Sequence, residues 1–536
     1  MASASPSDRD GLGADAGVDD VRVHTPIERG IAWVARYTWP PRRYALTRTL
    51  IVRLLGVVVA FAFLGILRQG LPLLGSHGLT PVATLVDRLH AAGKTFWDVP
   101  SVFMWDASDG ALVAWAYVGL ALSLAMIAGY ANLPSMLVLW LVAGSYERVG
   151  QLWWSFGWEI QLVETLLLVA ALVHPWDPRP LAARPPPVLA IVLVRWLVFR
   201  IMLGAGLIKL RGDACWRELT CLDWHFETQP IPNPLSPWMH HLPHAVHATG
   251  VAFNHVVELA APWFVFGPRR LRLVAGTLMA LFQIVLIVSG NLAFLNWLTL
   301  VPILACFDDD ALLALAPARA RAWVVARVTT REPSRAHRYA VIAYAVVVAI
   351  ASLPVIDNLL SKHQRMNSSF DRLALVNTYG AFGSVGDVRH ELVIEGTMDG
   401  DPETAHWRAY ELPCKPGDPD RGLCVLGPYH RRLDWLIWFA AMEEAPSEHW
   451  ILHVVWKLLD GDRGIRRLFA VDPFDGAKPR WVRIQRYVYR FARGDEPGTW
   501  VREHEAPWLL PVALDTPDLV DALRQVGLPS PTDRGE

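Results

Sequence analysis

The feature that most constrains this chain is a succession of nine apolar runs, at 50–67, 111–130, 134–144, 157–174, 188–208, 248–266, 271–288, 293–306 and 339–353. A helix needs about 20 apolar residues to cross about 30 Å of hydrocarbon, and these runs approach that length in turn. The third is short enough to be tilted or re-entrant, and the sixth carries polar residues. The chain is 53% hydrophobic and 19% charged, with a mean hydropathy of +0.26. Soluble domains run about 45–50% apolar and about 25% charged. The excess apolar surface therefore needs lipid as its solvent, and a disordered chain, a collagen and a small disulfide scaffold are excluded.

Arginine placement orients the spans, because short cytoplasmic loops are enriched in Lys and Arg. Arg36, Arg42, Arg43 and Arg48 crowd the first run, and 177–184 and 267–272 are basic. The loop 319–338 is the most basic, with Arg319, Arg321, Arg327, Arg331, Arg335 and Arg338. Nine spans with a cytoplasmic N-terminus and an outer C-terminus fit this pattern. The 25 Trp suit the two membrane interfaces. A net charge of −1 offers nothing to nucleic acid.

Residues 1–35 are small, polar and acidic and read as a disordered tail, without the apolar core of a signal peptide. Residues 36–357 form the multi-span domain. Residues 358–536 are polar, with strand-like alternation at 389–396, 407–412 and 481–491 and helical apolar spacing at 433–442 and 449–459. The expected fold is thus a polytopic α-helical membrane protein of about nine spans with a C-terminal, mostly antiparallel β domain outside the membrane.

The topology puts Cys215, Cys221, Cys414 and Cys424 on the outer, oxidising side. Local disulfides Cys215–Cys221 and Cys414–Cys424 are the simplest of three pairings. Cys306, at the inner end of the eighth run, is expected to be free. The spacings C-x5-C and C-x9-C are not those of zinc sites.

Polar groups at membrane depth are costly and usually face a bundle interior or a cavity. Glu159, Gln161 and Glu164 fall in the fourth run; Arg195, Arg200 and Lys209 fall in the fifth or at its end. Asn254, His255 and Glu258 fall in the sixth, while Gln283, Asn291 and Asn296 belong to the seventh and eighth. His255 and Glu258 are three apart and would share a helix face. One reading is a polar cavity open to the outer side near Cys215, His225 and Glu227, with Lys209, His255 and Glu258 as catalytic candidates. The other is a set of buried Arg–Glu and Lys–Glu pairs that fix packing. Asp308, Asp309 and Asp310 read as the start of a surface helix, and the cluster His240, His241, His244 and His247 lacks interleaved Cys or carboxylate ligands. No nucleophile elbow, phosphate loop, dinucleotide fingerprint or metalloprotease motif is present. No metal or cofactor is expected.

The segment CWRELTCLDWHFETQPIPNPLS (215–236) resembles the lipase maturation factor family. The likeness continues in NHVVEL (254–259), VSGNLAFLNWLT (288–299), CFDD (306–309), VNTYGAFGSV (376–385), CKPGDP (414–419), PYHRRLDWLIWFAA (428–441) and PRWVR (479–483). The resemblance implies a protein of the endoplasmic reticulum membrane that helps secreted lipases fold and assemble, chaperone-like and without assigned catalytic residues. Its partners would be a secreted lipase-like client and membrane lipid. The Arg-rich composition, with only six Lys, suits a bacterial chain, whose equivalent site is the inner membrane with the C-terminal domain in the periplasm. A fainter likeness joins GAGLIKL (204–210), followed by Trp216, to the segment around the active lysine of vitamin K-dependent gamma-carboxylases and their transmembrane relatives. Lys209 is the matching position. That likeness implies the alternative of an integral-membrane enzyme acting on a client or lipid in an outward cavity. A transporter is disfavoured because no inverted repeat is visible.

Overall fold

Runs of Leu, Val and Ala long enough to satisfy every backbone group internally fold as helices, because lipid offers no hydrogen bonds to irregular chain. The computed structural model describes residues 44–181, 183–328, 333–446 and 449–525. The expected tail 1–35 and Arg36, Arg42, Arg43 and Arg331 lie outside them.

The principal helices of the membrane region are α1 (Ala45–Leu74), α2 (Asp109–Ala128), α3 (Leu133–Val149), α4 (Gly157–Leu172), α5 (Val188–Arg211), α6 (Leu222–Thr228), α7 (His244–His255), α8 (Arg269–Ser289), α9 (Leu295–Ile303), α10 (Asp309–Leu315), α11 (Arg335–Ala351) and α12 (Leu353–Leu360). All nine apolar runs are thus largely helical. Among the described residues, however, only five helical stretches are long and apolar enough to cross a membrane: α1, α2, α5, α8 and Arg335–Leu360. The count of about nine spans is not confirmed. Two of the remaining runs are short, 17 residues in α3 and 16 in α4. At 1.5 Å per residue, α4 reaches only about 24 Å. The sixth run breaks after α7 into a wide π turn, Val256–Ala260, and a 3-10 turn, Ala261–Phe266. The eighth run is nine residues of α9 and a short turn, with Pro302 inside the helix. Burial separates centre from periphery: 83% of the apolar window of α5 is buried, against 22% for Arg335–Leu360.

Asp308 N-caps α10, accepting from the Ala311 amide at 3.0 Å, and pairs with Arg269 at 2.7 Å. Asp309 turns inward and accepts from the amides of Ala45 (2.8 Å) and Thr47 (3.0 Å), capping the first turn of α1. The acidic run therefore starts a helix, as expected, and also closes the entry to the bundle.

The C-terminal part contains an antiparallel sheet in the order β2-β1-β3-β4. Its strands are β1 (Arg389–Thr397), β2 (Arg408–Tyr410), β3 (Trp481–Phe491) and β4 (Trp500–Val512). Ile394 faces Ile484 in β3, and Val488 faces Glu503 in β4. Helices α13 (Arg432–Ala440) and α14 (His449–Leu459) match the expected helical pair, and α15 (Pro517–Gln525) follows the sheet. A single apolar core runs from α1 and α5 through α13 and α14 to the inner face of the sheet. The two parts are packed as one body.

Candidate functional site

The GAGLIKL segment ends α5, and its glycines allow close approach. A Cβ on Gly204 would collide with the carbonyl oxygen of Tyr379, and one on Gly206 would lie 2.7 Å from Leu259 Cδ2. That approach brings Lys209 against the π turn. Lys209 Nζ donates to both Glu258 oxygens (2.6 and 2.7 Å) and to Asn254 Oδ1 (3.1 Å), and sits 5.1 Å from the Trp216 ring centre. Asn254 Nδ2 donates to Glu258 at 3.1 Å. All three ammonium hydrogens have acceptors. Wide turns of this kind recur at functional sites because they rotate the side chains that follow.

The rotation separates two residues that regular helical spacing would align. Glu258 faces Lys209, whereas His255 Nε2 donates to the Trp216 carbonyl at 2.9 Å. Lys209, Asn254 and Glu258 are brought together; His255 is not part of that cluster.

The cluster lines one end of a cavity of about 690 Å³. Ile201, Met202, Phe253, Phe282 and Leu286 make an apolar wall, and Gln161 and Asn296 lie deeper. Asn296 donates to Gln283 at 2.8 Å and Gln161 to Thr299 at 3.1 Å. The cavity is therefore largely apolar with a polar end. His225, on α6, lines it as well, next to the Cys215–Cys221 disulfide that ties the short helices after α5. Burial, aided by the Lys209 charge, pulls the His225 imidazole down to about 4, so it is neutral at ordinary pH.

The other intramembrane groups are enclosed by the fold. Arg200 pairs with Glu164. Glu164 also accepts from the Asn377 amide (3.1 Å), Asn377 Nδ2 (2.9 Å) and Tyr379 OH (2.7 Å). Arg195 donates to the Ala305 carbonyl and to Tyr44 OH, both at 2.8 Å. Glu159 pairs with Arg432 of α13 at 2.7 Å, and that guanidinium stacks 3.6 Å from the Trp154 ring centre.

Sequence reasoning passed over two features. Residues 376–384, which carry no apolar run, return into the bundle and wall the cavity from Tyr379 to Ser384. Asn377 and Tyr379, polar and set among small residues, were the available signal. The other is a buried trio in which Glu391 lies between Arg389 (2.7 Å) and Lys415. Arg389 and Glu391 alternate on one face of a strand, and on an inward face that pattern demands partners. The second disulfide, Cys414–Cys424, lies beside this trio. Asn291 holds its loop, donating to the Cys424 carbonyl (3.0 Å) and accepting from the Leu426 amide (2.8 Å). Cys306 is free and buried.

The histidine cluster is held by carboxylates. His244 and His247 both face Asp223, at 2.9 and 2.8 Å, and His240 faces Glu227 at 3.4 Å. Among the described residues no group of three or more His, Cys, Asp or Glu is placed to hold a metal ion.

Two family models match the chain: a lipase maturation factor transmembrane domain at residues 46–314 and a lipase maturation factor C-terminal domain at 375–509. The chain is 43% identical over 500 residues to lipase maturation factor 1 of Bos taurus, covering 87% of this chain and 89% of that protein. It is 42% identical over 517 residues to the Homo sapiens protein of the same name, covering 91% of each. Lipase maturation factor 2 of Homo sapiens is 29% identical over 606 residues, covering 90% of this chain and 85% of that protein. No solved structure matches.

Proposed function

This chain belongs to the lipase maturation factor family, and from that premise we propose that it is a membrane-embedded, chaperone-like factor that helps secreted lipases or similar clients fold and assemble. The observation that carries this reading is the likeness across both parts of the chain, 87–91% of it in the relatives named lipase maturation factor 1. The arrangement of those parts supports it. Arg432 on Glu159, Arg389 on the loop after α6 and Asn291 on the Cys414–Cys424 loop fasten the sheet to the helices. A client meeting the C-terminal domain would meet a surface fixed relative to the membrane.

In this reading the N-terminus is cytoplasmic and the disulfides and sheet face the endoplasmic reticulum lumen, or the periplasm if the chain is bacterial. Both disulfides suit an oxidising compartment. The enzyme alternative draws on one observation, that Lys209 lines a cavity. Against it stand the three acceptors that already hold the Lys209 ammonium.

The test is expression beside a secreted lipase in cells that lack a relative. Secreted lipase activity is expected to rise, and the lipase to co-purify from the membrane. An inserted, folded protein that leaves secretion unchanged overturns the reading.

A further inference from the structure

We propose that the cavity beside Lys209 binds one molecule of a neutral single-chain lipid with a free hydroxyl, of the monoacylglycerol kind, its chain along the apolar wall and its hydroxyl on His225.

The size of the space comes first. About 690 Å³ is within the usual range for a small-molecule site, room for a long chain with a small head. The exposed lining residues fall into two sets. Val246, Val285, Met366, Phe439 and Met442 are apolar, and Ser155, Asn367 and Ser384 are polar. An amphiphile matches that division; a soluble metabolite does not.

The polar end then selects the headgroup. Lys209 and Glu258 cancel each other's charge, and Asn254 completes the pair. No cation lining this cavity is left without a carboxylate, so a fatty-acid anion or a phosphate would find no free positive charge there. His225 is different. It is only 6% exposed, its ring packs on Phe226 and Phe382, and among the described residues its side chain makes no hydrogen bond. A neutral imidazole offers one donor and one acceptor, which is the complement of an alcohol. The ring lines the cavity, and a hydroxyl there that both gives and takes a hydrogen bond can answer its donor or its acceptor.

The proposal stands apart from the client reading: lipid occupancy and lipase secretion are measured separately, and either can fail alone. The experiment uses the full chain in phosphatidylcholine nanodiscs. The probe is a monoacylglycerol with a photoreactive diazirine in its chain. Saturable labelling is expected on peptides from α5, α7 or α8, with monooleoylglycerol competing about tenfold better than oleate. His225→Phe keeps the ring packing and removes both nitrogens, and should weaken competition by about tenfold, the worth of one buried hydrogen bond. Ala205→Leu, which fills the cavity from α5, should reduce labelling in the same way. Labelling that does not saturate, or oleate competing as well as monooleoylglycerol on the unaltered protein, overturns the proposal whatever the variants do. So does unchanged competition in a His225→Phe protein that melts normally.

Discussion

Glu391 and Glu258 are both buried carboxylates paired with a lysine, but they sit in opposite surroundings. Glu391 is shut in between Arg389 and Lys415, with side-chain exposure of 0–1% for all three. The remaining donors of Arg389 go to the carbonyls of Glu227 (2.7 Å), Gln229 (2.5 Å) and Pro230 (3.1 Å), so the trio clamps the end of α6 and the loop after it onto the sheet. Glu258 meets Lys209 and Asn254, and all three line a cavity. An enclosed ion pair has no alternative solvent, whereas one on a cavity wall can be answered by water or by a ligand. The first is therefore a structural fastening. The second combines packing with a place where something can bind.

Glu391→Gln should produce the largest loss. It leaves two cations enclosed with no carboxylate between them, and breaking a buried pair costs about 3–5 kcal/mol. Unfolding in detergent should register it, and Lys415→Met in the same chain should return part of it. A loss under about 1 kcal/mol would mean that the trio is hydrated and would erase the contrast. The disulfide beside it comes next. Replacing both Cys414 and Cys424 with Ser opens a loop with a sequence separation of 10. Loop-closure entropy at that length gives about 3 kcal/mol. Reductant, which also opens Cys215–Cys221, should lower the melting temperature of the parent protein at least as far.

Lys209→Met should cost less, about 1–3 kcal/mol, because Glu258, though buried, keeps Asn254 and lines the cavity, where water can reach it. Adding Glu258→Gln should recover most of it. If stability returns in the double variant but lipase secretion stays low, Lys209 does more than pack. If both return, the pair is packing alone.

The same contrast explains what could be read from the amino-acid order. Patterns that act locally were legible. The apolar runs are helical, α14 has the bounds its spacing implies, and the alternating segments 389–396 and 481–491 are strands β1 and β3. The short separations within 215–221 and 414–424 became the two disulfides. Strand β4 was not seen, because Pro507 and Pro511 interrupt it and its exposed edge position leaves no apolar alternation at 502–507. The count of about nine spans is not confirmed because α3, α4 and α9, at 17, 16 and 9 residues, are shorter than a crossing helix needs. The site itself depends on contacts across long stretches of chain. Lys209 could be singled out, but the return of 376–384 and the Glu391 trio could not be placed without the fold.

The smallest effect is in pH and separates the enclosed from the open region most finely. Burial pulls His453 down to about 4, and burial with the Lys209 charge does the same to His225. Their unfolded values lie near 6.5. As pH falls below that, the unfolded chain takes up protons that the folded one refuses. The stability they contribute is therefore complete above about 6.5 and is lost progressively down to about 4. Between pH 7 and 6 each imidazole accounts for about 0.7 kcal/mol, so His453→Gln and His225→Phe should each flatten the decline by that amount. Saturating monoacylglycerol should then discriminate between them. His453 already donates to the Leu79 carbonyl at 2.7 Å and does not line the cavity, so its share should not move. A hydroxyl on His225 holds the neutral form more firmly, so the lipid should leave the decline between pH 7 and 6 unchanged but carry it on below about pH 4 in the unaltered protein and in His453→Gln, and leave His225→Phe as it was.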